Sequence, residues 1–363
     1  MSTDTETSPM DLPIDAPVKP MLAKLSRELP TGDLLYEPKW DGFRCIIFRD
    51  GDRLLLQSRS GKPLDRYFPE LTEPLLAALP DRIVIDAELV VPVGDGLDFD
   101  ALSNRIHPAT SRVELLANET PAHVVAFDLL ALGDADLTAR SFAARRSNLE
   151  QVMQDVEPPL HLTPATTDAG VAAGWFARFE GAGLDGVIAK DVNAPYAPGK
   201  RTLIKVKQQR TADVVVAGFR WHKDGAGIGS LLLGLWDDED VLVNVGVASS
   251  FSASRREELI AELADHRVDS DTEVADHPWL TGDGTDRTPR GAHRWSGARD
   301  TSWELLRLGL VAEVAYEQLQ GDRFRHSARF QRWRGDREVD SCRFDQLEVP
   351  PPAELRDLFA LGS

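Results

Sequence analysis

The sequence has little cysteine and no long apolar run. Its two cysteines, Cys45 and Cys342, lie far apart among 363 residues and form no C-x-x-C pair, which excludes a cysteine zinc site and a disulfide framework. No apolar stretch approaches the ~20 residues that a membrane-spanning helix needs. The acidic start of the chain, with Asp4, Glu6 and Asp11, also lacks the positive and apolar regions of a secretory signal. We therefore expect a cytoplasmic protein that has no membrane partner.

An excess of positive charge is missing as well. The chain has 41 lysine and arginine residues against 59 aspartate and glutamate residues, a formal net charge of −18, whereas nucleic-acid-binding proteins are usually basic. The charge is segregated, however: residues 199–210 contain five basic residues and no acid, and residues 323–337 contain six arginines and one aspartate. This segregation allows one basic face to bind a polyanion while the rest of the protein stays acidic.

Chain length and apolar patterning predict two domains. We place a disordered tail at 1–15, a first domain at 16–207, a second domain at 208–350 and a C-terminal tail at 351–363. In the first domain, strands and helices are interspersed irregularly, which indicates an α+β fold rather than a doubly wound parallel sheet.

The second domain contains several short strands and one predicted helix. The helix is expected to begin at the capping box Ser254-x-x-Glu257, in which the two side chains bond each other's backbone amides. This pattern is typical of a small β-barrel of the oligonucleotide-binding (OB) type.

A lysine in the first domain carries the clearest chemical signal. Lys39 lies in the segment Glu37-Pro38-Lys39-Trp40-Asp41-Gly42-Phe43-Arg44. A lysine beside an Asp-Gly turn can be an ordinary exposed hairpin residue. The pattern K-x-D-G-x-R, however, resembles the first motif of the covalent nucleotidyltransferases, which comprise ATP-dependent DNA ligases, RNA ligases and mRNA capping enzymes.

Further motifs of the same family follow in the family's order. They resemble S-R-x-G, the acidic strand motif, F-D-x-L, E-G-x-x-x-K, K-x-K and the arginine-rich final motif, at residues 58–61, 86–88, 127–130, 185–190, 205–207 and 325–337 respectively. Because an ordered set is far more specific than one short pattern, we identify the chain as a member of this family. The resemblance implies a nucleotidyltransferase (adenylation) domain with mixed β-sheets and helices, followed by an OB-fold β-barrel domain.

Among these enzymes the chain is most similar to ATP-dependent DNA ligases of minimal two-domain form, including bacterial repair ligases and the ligase module of bacterial end-joining proteins. The resemblance implies that such an enzyme forms a lysyl-AMP intermediate, transfers AMP to a 5′-phosphate at a nick, and seals the nick with the 3′-hydroxyl. The expected role is DNA repair and recombination. The expected cofactors are ATP and Mg²⁺ or Mn²⁺.

Each motif residue receives a role from this resemblance. Lys39 is the expected nucleophile, since nearby cations disfavour the protonated form of a lysine, whose pKa is ordinarily about 10.4. The residues expected to contact ATP or AMP are Glu37, Lys39, Arg44, Arg59, Glu88, Phe127, Arg201, Lys205 and Lys207. Glu88, Asp185 and Asp336 are expected at the metal, Arg334 and Arg337 at the pyrophosphate, and Arg325, Arg329 and Arg332 on DNA.

Two residues help to choose a nucleotide. The acceptor oxygens of Glu37 suit the exocyclic amine of adenine and would repel the carbonyl of guanine, which favours ATP over GTP. Phe127 is expected to stack on the purine, although a strand phenylalanine taken alone is more often a core residue.

Two positions depart from the family pattern. Asp185 stands where glutamate is usual, which shortens the reach to a metal by one methylene, and Arg337 stands where lysine is usual, which keeps the charge but changes its geometry. We expect activity to survive both changes.

Two alternatives remain open at this point. One is an RNA ligase or capping-type guanylyltransferase, and the other is a catalytically weak module that binds nicks or DNA ends. On the main interpretation, the partner is nicked duplex DNA, separate repair polymerase or end-binding proteins supply other functions, and the protein is a monomer associated with a bacterial nucleoid.

Overall fold

The computed structural model describes residues 10–178, 184, 186–207, 210–268, 277–281, 303–317, 319–347, 355 and 359. The chain divides into two units. Unit 1 comprises residues 1–208 together with 350–363, and unit 2 comprises residues 209–349.

Unit 1 is a mixture of strands and helices. Its described strands are β1 Leu22–Ser26, β2 Leu34–Pro38, β3 Phe43–Asp50, β4 Arg53–Ser58, β5 Arg82–Val90, β6 Pro92–Val93, β7 Gly96–Leu97, β8 His123–Leu132, β9 Ala135–Asp136, β10 Leu160–Leu162, β11 Val187–Asp191 and β12 Arg201–Val206. Its described α-helices are α1 Thr72–Ala78, α2 Phe99–Asn104, α3 Thr110–Glu119, α4 Phe142–Val152 and α5 Ala169–Arg178. Short 3-10 turns lie at Asp65–Tyr67 and Pro69–Leu71.

The strands of unit 1 form two main sheets. One has four strands in the order β1-β12-β11-β2, and the other has six, in the order β10-β8-β5-β3-β4 with β9 paired to β8. Alternate residues of β3 face two different cores: Cys45 and Ile47 pack on one side, and Ile46 and Phe48 pack on the other with Leu203 of β12. Strands β5 and β8 are almost continuously buried because both faces of their sheet are covered.

Both ends of the chain contribute to the core of unit 1. Leu12 is only 9% exposed and packs with the side chains between the two sheets. The disorder predicted for 1–15 therefore does not extend to its last residues, while residues 1–9 lie outside the described part. Leu355 is also buried in unit 1, so the predicted tail at 351–363 returns to the first unit. The reason is the same for both residues: an apolar side chain is stabilised by packing against the apolar core of unit 1.

Two histidines form a pair on neighbouring strands of the six-stranded sheet. His123 lies on β8 and His161 on β10, and Nδ1 of His123 is 2.8 Å from Nε2 of His161, one ring nitrogen donating to the other. Burial lowers the pKa of both rings, and with the neighbouring His123 it lowers the pKa of His161 to about 4. Between the unfolded pKa of 6.5 and the folded pKa of about 4, the unfolded chain therefore binds a proton at His161 that the folded protein does not bind.

This pair makes stability sensitive to acid. The folded state keeps His161 neutral at a pH where the unfolded chain is protonated. The free energy of unfolding is therefore highest above the unfolded pKa of about 6.5 and falls as the pH falls toward the folded pKa of about 4. When the pH is lowered from 7.5 to 5, the free energy of unfolding should fall in both proteins. We expect the fall to be about 2 kcal/mol smaller for His161→Gln than for the parent. Urea unfolding at the two pH values measures this difference, with His107→Gln as the control. Equal losses in parent and His161→Gln would refute the prediction.

Unit 2 is dominated by one sheet. Its described strands are β13 Arg210–Trp221, β14 Ile228–Trp236, β15 Leu242–Ala248, β16 Glu304–Leu305, β17 Val311–Tyr316, β18 Leu319–Gln320, β19 Arg323–Phe324 and β20 Arg329–Trp333. Its described α-helices are α6 Ala253–Leu263 and α7 Pro278–Thr281, and short 3-10 turns lie at Ala264–His266, Val339–Ser341 and Phe344–Gln346.

The sheet of unit 2 is a partly open barrel. Its strands follow the order β15-β14-β13-β17-β20, with β16 paired to β13. Among the described residues, the two edges of the sheet meet through one isolated bridge, between Ala248 at the end of β15 and Ala328 just before β20, rather than through a full ladder. Full closure is therefore absent from the described strands, as is common for OB folds.

The helix of unit 2 begins two residues earlier than its sequence motif suggests. Ser252, not Ser254, is the N-cap of α6, and its side chain accepts the backbone N–H of Arg255. Ser252 is the last residue with extended backbone, and only that geometry lets the hydroxyl reach the first turn. None of the helices in the described residues is long and apolar enough to cross a membrane.

Candidate active site

A cavity of about 230 Å³ lies in unit 1 between the two sheets. Most of the side chains predicted to contact the nucleotide line it, namely Glu37, Lys39, Arg44, Arg59, Glu88, Phe127, Arg201 and Lys205. The fold thus brings together motif residues that are far apart in the sequence. Lys207, which was predicted to belong to this set, is not among the lining residues.

The four-stranded sheet supplies one wall of the cavity through strand register. Glu37 on β2 lies opposite Ile188 on β11, which in turn lies opposite Lys205 on β12. Residues directly opposite one another project from the same face of a sheet, and so do alternate residues of one strand. Arg201 is four residues before Lys205 and therefore lines the same wall.

The six-stranded sheet supplies the facing wall. Arg44 on β3 lies directly opposite Glu88 on β5. Burial raises the pKa of Glu88 to about 7, and the positive charges of Arg44 and Lys39 act in the opposite direction. A carboxylate of this kind is stabilised by any further cation that enters the cavity.

The segment that carries Lys39 connects β2 to β3 and is held at two points. The backbone N–H of Lys39 donates to the carbonyl of Gly186 at 2.8 Å, and the indole Nε1 of Trp40 donates to Oγ1 of Thr163 at 2.8 Å. Trp40 is only 5% exposed and lines the cavity. The position of the lysine is therefore set by contacts on both sides of it.

Gly42 is required where this segment enters β3. A Cβ atom at this position would lie 2.0 Å from the carbonyl oxygen of Leu89 and 3.0 Å from Cγ of Glu88. We expect Gly42→Ala to push β3 away from β5 and so to displace Lys39 from its position for attack. Because small displacements of reacting groups slow a reaction strongly, lysine adenylation should be about 10- to 100-fold slower.

The rate of labelling by α-labelled ATP measures this effect. Gly174→Ala on α5 is a matched control, because a Cβ atom there meets nothing within 4 Å. Equal labelling of Gly42→Ala and the parent would contradict the expectation.

Arg44 is held by Asp86, a residue of the acidic strand motif at 86–88 for which the sequence predicted no role. Its Nε and Nη2 each lie 2.5 Å from the carboxylate of Asp86, which is fully buried and also accepts the hydroxyl of Tyr196 at 2.7 Å. The guanidinium lies 4.6 Å from the ring centroid of Phe127. Asp86 thus orients both the charge of Arg44 and its contact with Phe127.

Lys190 is a site residue that the sequence reasoning missed. Its Nζ lies 2.7 Å from Oε2 of Glu37, donates to the carbonyl of Phe127 at 3.0 Å, and lies 4.7 Å from the Phe127 ring centroid. Arg146 approaches Oε1 of Glu37 at 3.5 Å. Burial raises the pKa of Glu37, while Lys190 and then Arg146 lower it. The available signal was the lysine that ends the motif at 185–190.

Comparison with known proteins agrees with this geometry. The family model described as the ATP dependent DNA ligase domain matches residues 16–207, and that of the ATP dependent DNA ligase C terminal region matches residues 224–337. The chain belongs to the ATP-dependent DNA ligase family. The recognition made from the motifs is thereby confirmed.

Two curated relatives extend over nearly the whole ligase. DNA ligase C2 of Mycolicibacterium smegmatis is 52% identical over 94% of this chain and 97% of its own length. DNA ligase C of Mycobacterium tuberculosis is 49% identical over 96% of this chain and 99% of its own length. A solved Lig E DNA ligase has a TM-score of 0.54 at 18% identity, covering 87% of this chain and 98% of its own, and so shares the fold. The predicted α+β fold class with an OB-type second domain is confirmed.

The final motif of the ligase forms an ion-pair network within unit 2. Arg334 lies 3.0 Å from both carboxylate oxygens of Asp213 and 2.8 Å from Asp336, and Nε of Arg337 lies 3.3 Å from the same Asp213. These carboxylates raise the pKa of Arg334, and the bond from Arg334 lowers that of Asp336. Asp213 lies directly opposite Glu313, so the arginines relieve the repulsion of two neighbouring acids.

The arginines predicted to bind DNA lie on or beside the edge strand β20. Arg329 and Arg332 are exposed on that strand, and Arg332 is paired with Glu313 at 2.8 Å. Burial lowers the pKa of Arg325 to about 10. Arg329 and Arg332 are therefore more accessible than Arg325, which is only half-exposed. Asp185, the remaining predicted metal residue, lies outside the described residues.

Proposed function

We propose that this ligase uses ATP to seal nicks in duplex DNA during repair, with Lys39 as its nucleophile. The observation that carries this proposal is the convergence of Lys39 with Arg44, Glu88 and Lys205 on one cavity. Phosphoryl transfer depends mainly on positioned positive charge, which Arg44 and Lys205 supply around Lys39 in this cavity. On this proposal the ligase works as a monomer at the bacterial nucleoid, and separate repair polymerase or end-binding proteins prepare its nicks.

The reaction has three group transfers. The uncharged amine of Lys39 attacks the α-phosphate of ATP, so that a P–N bond forms while the bond to the departing pyrophosphate breaks. The 5′-phosphate of the nick then attacks this lysyl-AMP, which restores the lysine and leaves AMP on the DNA. The 3′-hydroxyl finally attacks the adenylated phosphate, a phosphodiester forms, and AMP leaves. Arg59, Arg201 and Lys205 line the cavity and would neutralise charge in the first transfer.

The residues present fit a divalent cation shared with the substrate. Among the described residues, no three histidine, cysteine or acidic side chains converge as a metal site. Glu88 is a half-buried carboxylate that lines the cavity. Desolvation raises its pKa, so a further positive charge nearby would stabilise its charged form. Mg²⁺ is commonly held by one or two carboxylates together with substrate phosphates, so Glu88 would hold it here. When bound, the ion neutralises phosphate charge and polarises the phosphoryl oxygens.

The choice of ATP over GTP rests on Glu37. Its two carboxylate oxygens contact Lys190 and Arg146, and each oxygen has a further lone pair for a donor. The exocyclic amine of adenine is such a donor, whereas the guanine carbonyl is an acceptor. We propose that Glu37 accepts this amine and that Lys190 holds the carboxylate in its charged form.

Labelling tests the function directly. The purified protein is incubated with α-labelled ATP or GTP and Mg²⁺ and then given nicked duplex DNA, with Lys39→Ala in parallel. We expect label from ATP only, absent in Lys39→Ala and discharged as the nick is sealed. Label from GTP would instead support a capping-type enzyme, and no label from either would support a binding module.

The DNA face is tested separately by salt. Each phosphate contact steepens the fall of affinity with salt concentration. We expect Arg329→Ala to weaken binding to a nicked duplex and to reduce the slope of log affinity against log salt by roughly 1. Binding assays at several salt concentrations check this, with the exposed Arg112→Ala on α3 as control. An unchanged slope would remove Arg329 from the interface.

A further inference from the structure

Three aromatic rings stack face to face beside the nucleophile, and a fourth, His123, lies edge to edge with the last of them through a ring-nitrogen hydrogen bond. The ring centroid of Trp40 lies 5.5 Å from that of Phe359 with an interplanar angle of 10°. Phe359 lies 3.8 Å from His161 at 12°, and His161 lies 5.1 Å from His123 at 11°. Near-parallel rings at these separations are attractive. A residue close to the C-terminus is thus inserted between the indole of Trp40 and the histidine pair.

A second residue from the same end of the chain is anchored nearby. Leu355 is 3% exposed and belongs to the apolar cluster that contains Trp40. Its backbone N–H donates to the carbonyl of Asp95 at 2.9 Å. Phe359 is therefore not an isolated contact, because buried packing and a backbone hydrogen bond hold the chain four residues before it.

Trp40 links this stack to the chemistry. It directly follows Lys39, it lines the nucleotide cavity, and its Nε1 is fixed by Thr163. The hydrogen bond restrains one point of the indole, and a flat ring against its face restrains its tilt. Because Lys39 and Trp40 are consecutive residues, a change in the tilt of the Trp40 ring would displace Lys39. An in-line attack tolerates only small displacements of the nucleophile.

We propose that Phe359 is a positioning residue for lysine adenylation, acting through the ring of Trp40. The inference rests on the proposed function, in which Lys39 attacks ATP. Phe359 touches neither nucleotide nor DNA in this scheme. Its contribution is to the rate of attack within the bound complex, and the affinity for ATP depends on other cavity residues.

Single-turnover labelling with α-labelled ATP over a range of concentrations tests the proposal in the full-length chain. We expect Phe359→Ala to lower the saturating rate about 10-fold or more, with the half-saturating ATP concentration changed less than about 3-fold. Phe359→Tyr keeps a flat ring and should restore the rate to within about 2-fold, whereas Phe359→Leu keeps only apolar bulk and should stay slow. The exposed Leu115→Ala on α3 is the control and should match the parent.

A nick that already carries the 5′-adenylate separates the steps. All the Phe359 variants should seal it at the parental rate, because that step does not use the Lys39 amine. A parental adenylation rate in Phe359→Leu or Phe359→Ala would overturn the proposal, as would equal slowing of both steps. Absence of label in the parent would defeat the proposed function itself, which is a distinguishable failure.

Discussion

Lys39→Arg is expected to abolish formation of the lysyl adenylate, lowering the labelling rate roughly 1,000-fold or more. Arginine keeps the positive charge and the length of the side chain, but its guanidinium does not lose a proton at any accessible pH and is no nucleophile. The substitution therefore removes the attacking amine while it preserves the electrostatics of the cavity. Label transfer from α-labelled ATP, followed on a denaturing gel, gives the rate.

The same variant should still seal a nick whose 5′-phosphate already carries AMP. On the proposed mechanism, the last step needs the 3′-hydroxyl and the cations that line the cavity, such as Arg44 and Lys205, and not the amine. Lys223→Arg, an exposed change in unit 2, is the matched control and should behave as the parent in both assays. Strong labelling of Lys39→Arg would show that another residue is the nucleophile.

Lys190→Met is expected to destabilise the protein by about 3–5 kcal/mol. Lys190 and Glu37 are 4% and 2% exposed, and their 2.7 Å ion pair is buried. Loss of the ammonium leaves a buried carboxylate with Arg146 at 3.5 Å, and the pKa of Glu37, already raised by burial, should rise further. Removing one partner of a buried pair costs more than removing both.

A double-mutant cycle distinguishes the pair from simple loss of packing. Glu37→Gln combined with Lys190→Met should recover at least about 1 kcal/mol relative to the sum of the single changes. Urea unfolding measures each variant, and the exposed Lys200→Met serves as control. Strictly additive losses would mean that the two charges do not stabilise each other.

The motif residues were predictable from the sequence because each carries a chemical requirement that few residue types satisfy. A nucleophilic amine, an acidic strand residue and a set of cations in fixed order identify Lys39, Glu88 and Lys205 without any knowledge of distance. The α+β fold class was equally predictable from the irregular alternation of strands and helices, whereas the division of the strands into two sheets was not.

Other residues acquired their roles only through strand register and packing. Lys190 is visible in its motif, yet its partner Glu37 is fixed by the pairing of β11 with β2. Asp213 carries no motif, but it receives Arg334 and Arg337 because β13 and β17 bring it beside Glu313. A local pattern cannot specify such contacts, since a shift of register by one residue turns every side chain to the opposite face.

By itself, the sequence determined the family, the proposed nucleophile, the charge of the cavity and the two-part fold, because composition and motif order are local properties of the chain. Tertiary structure alone decided which carboxylate holds which cation, where the sheet of unit 2 stays open, and that Phe359 returns to stack on Trp40. These features join residues that are distant in sequence, and their partners are chosen by burial and geometry after the chain has folded.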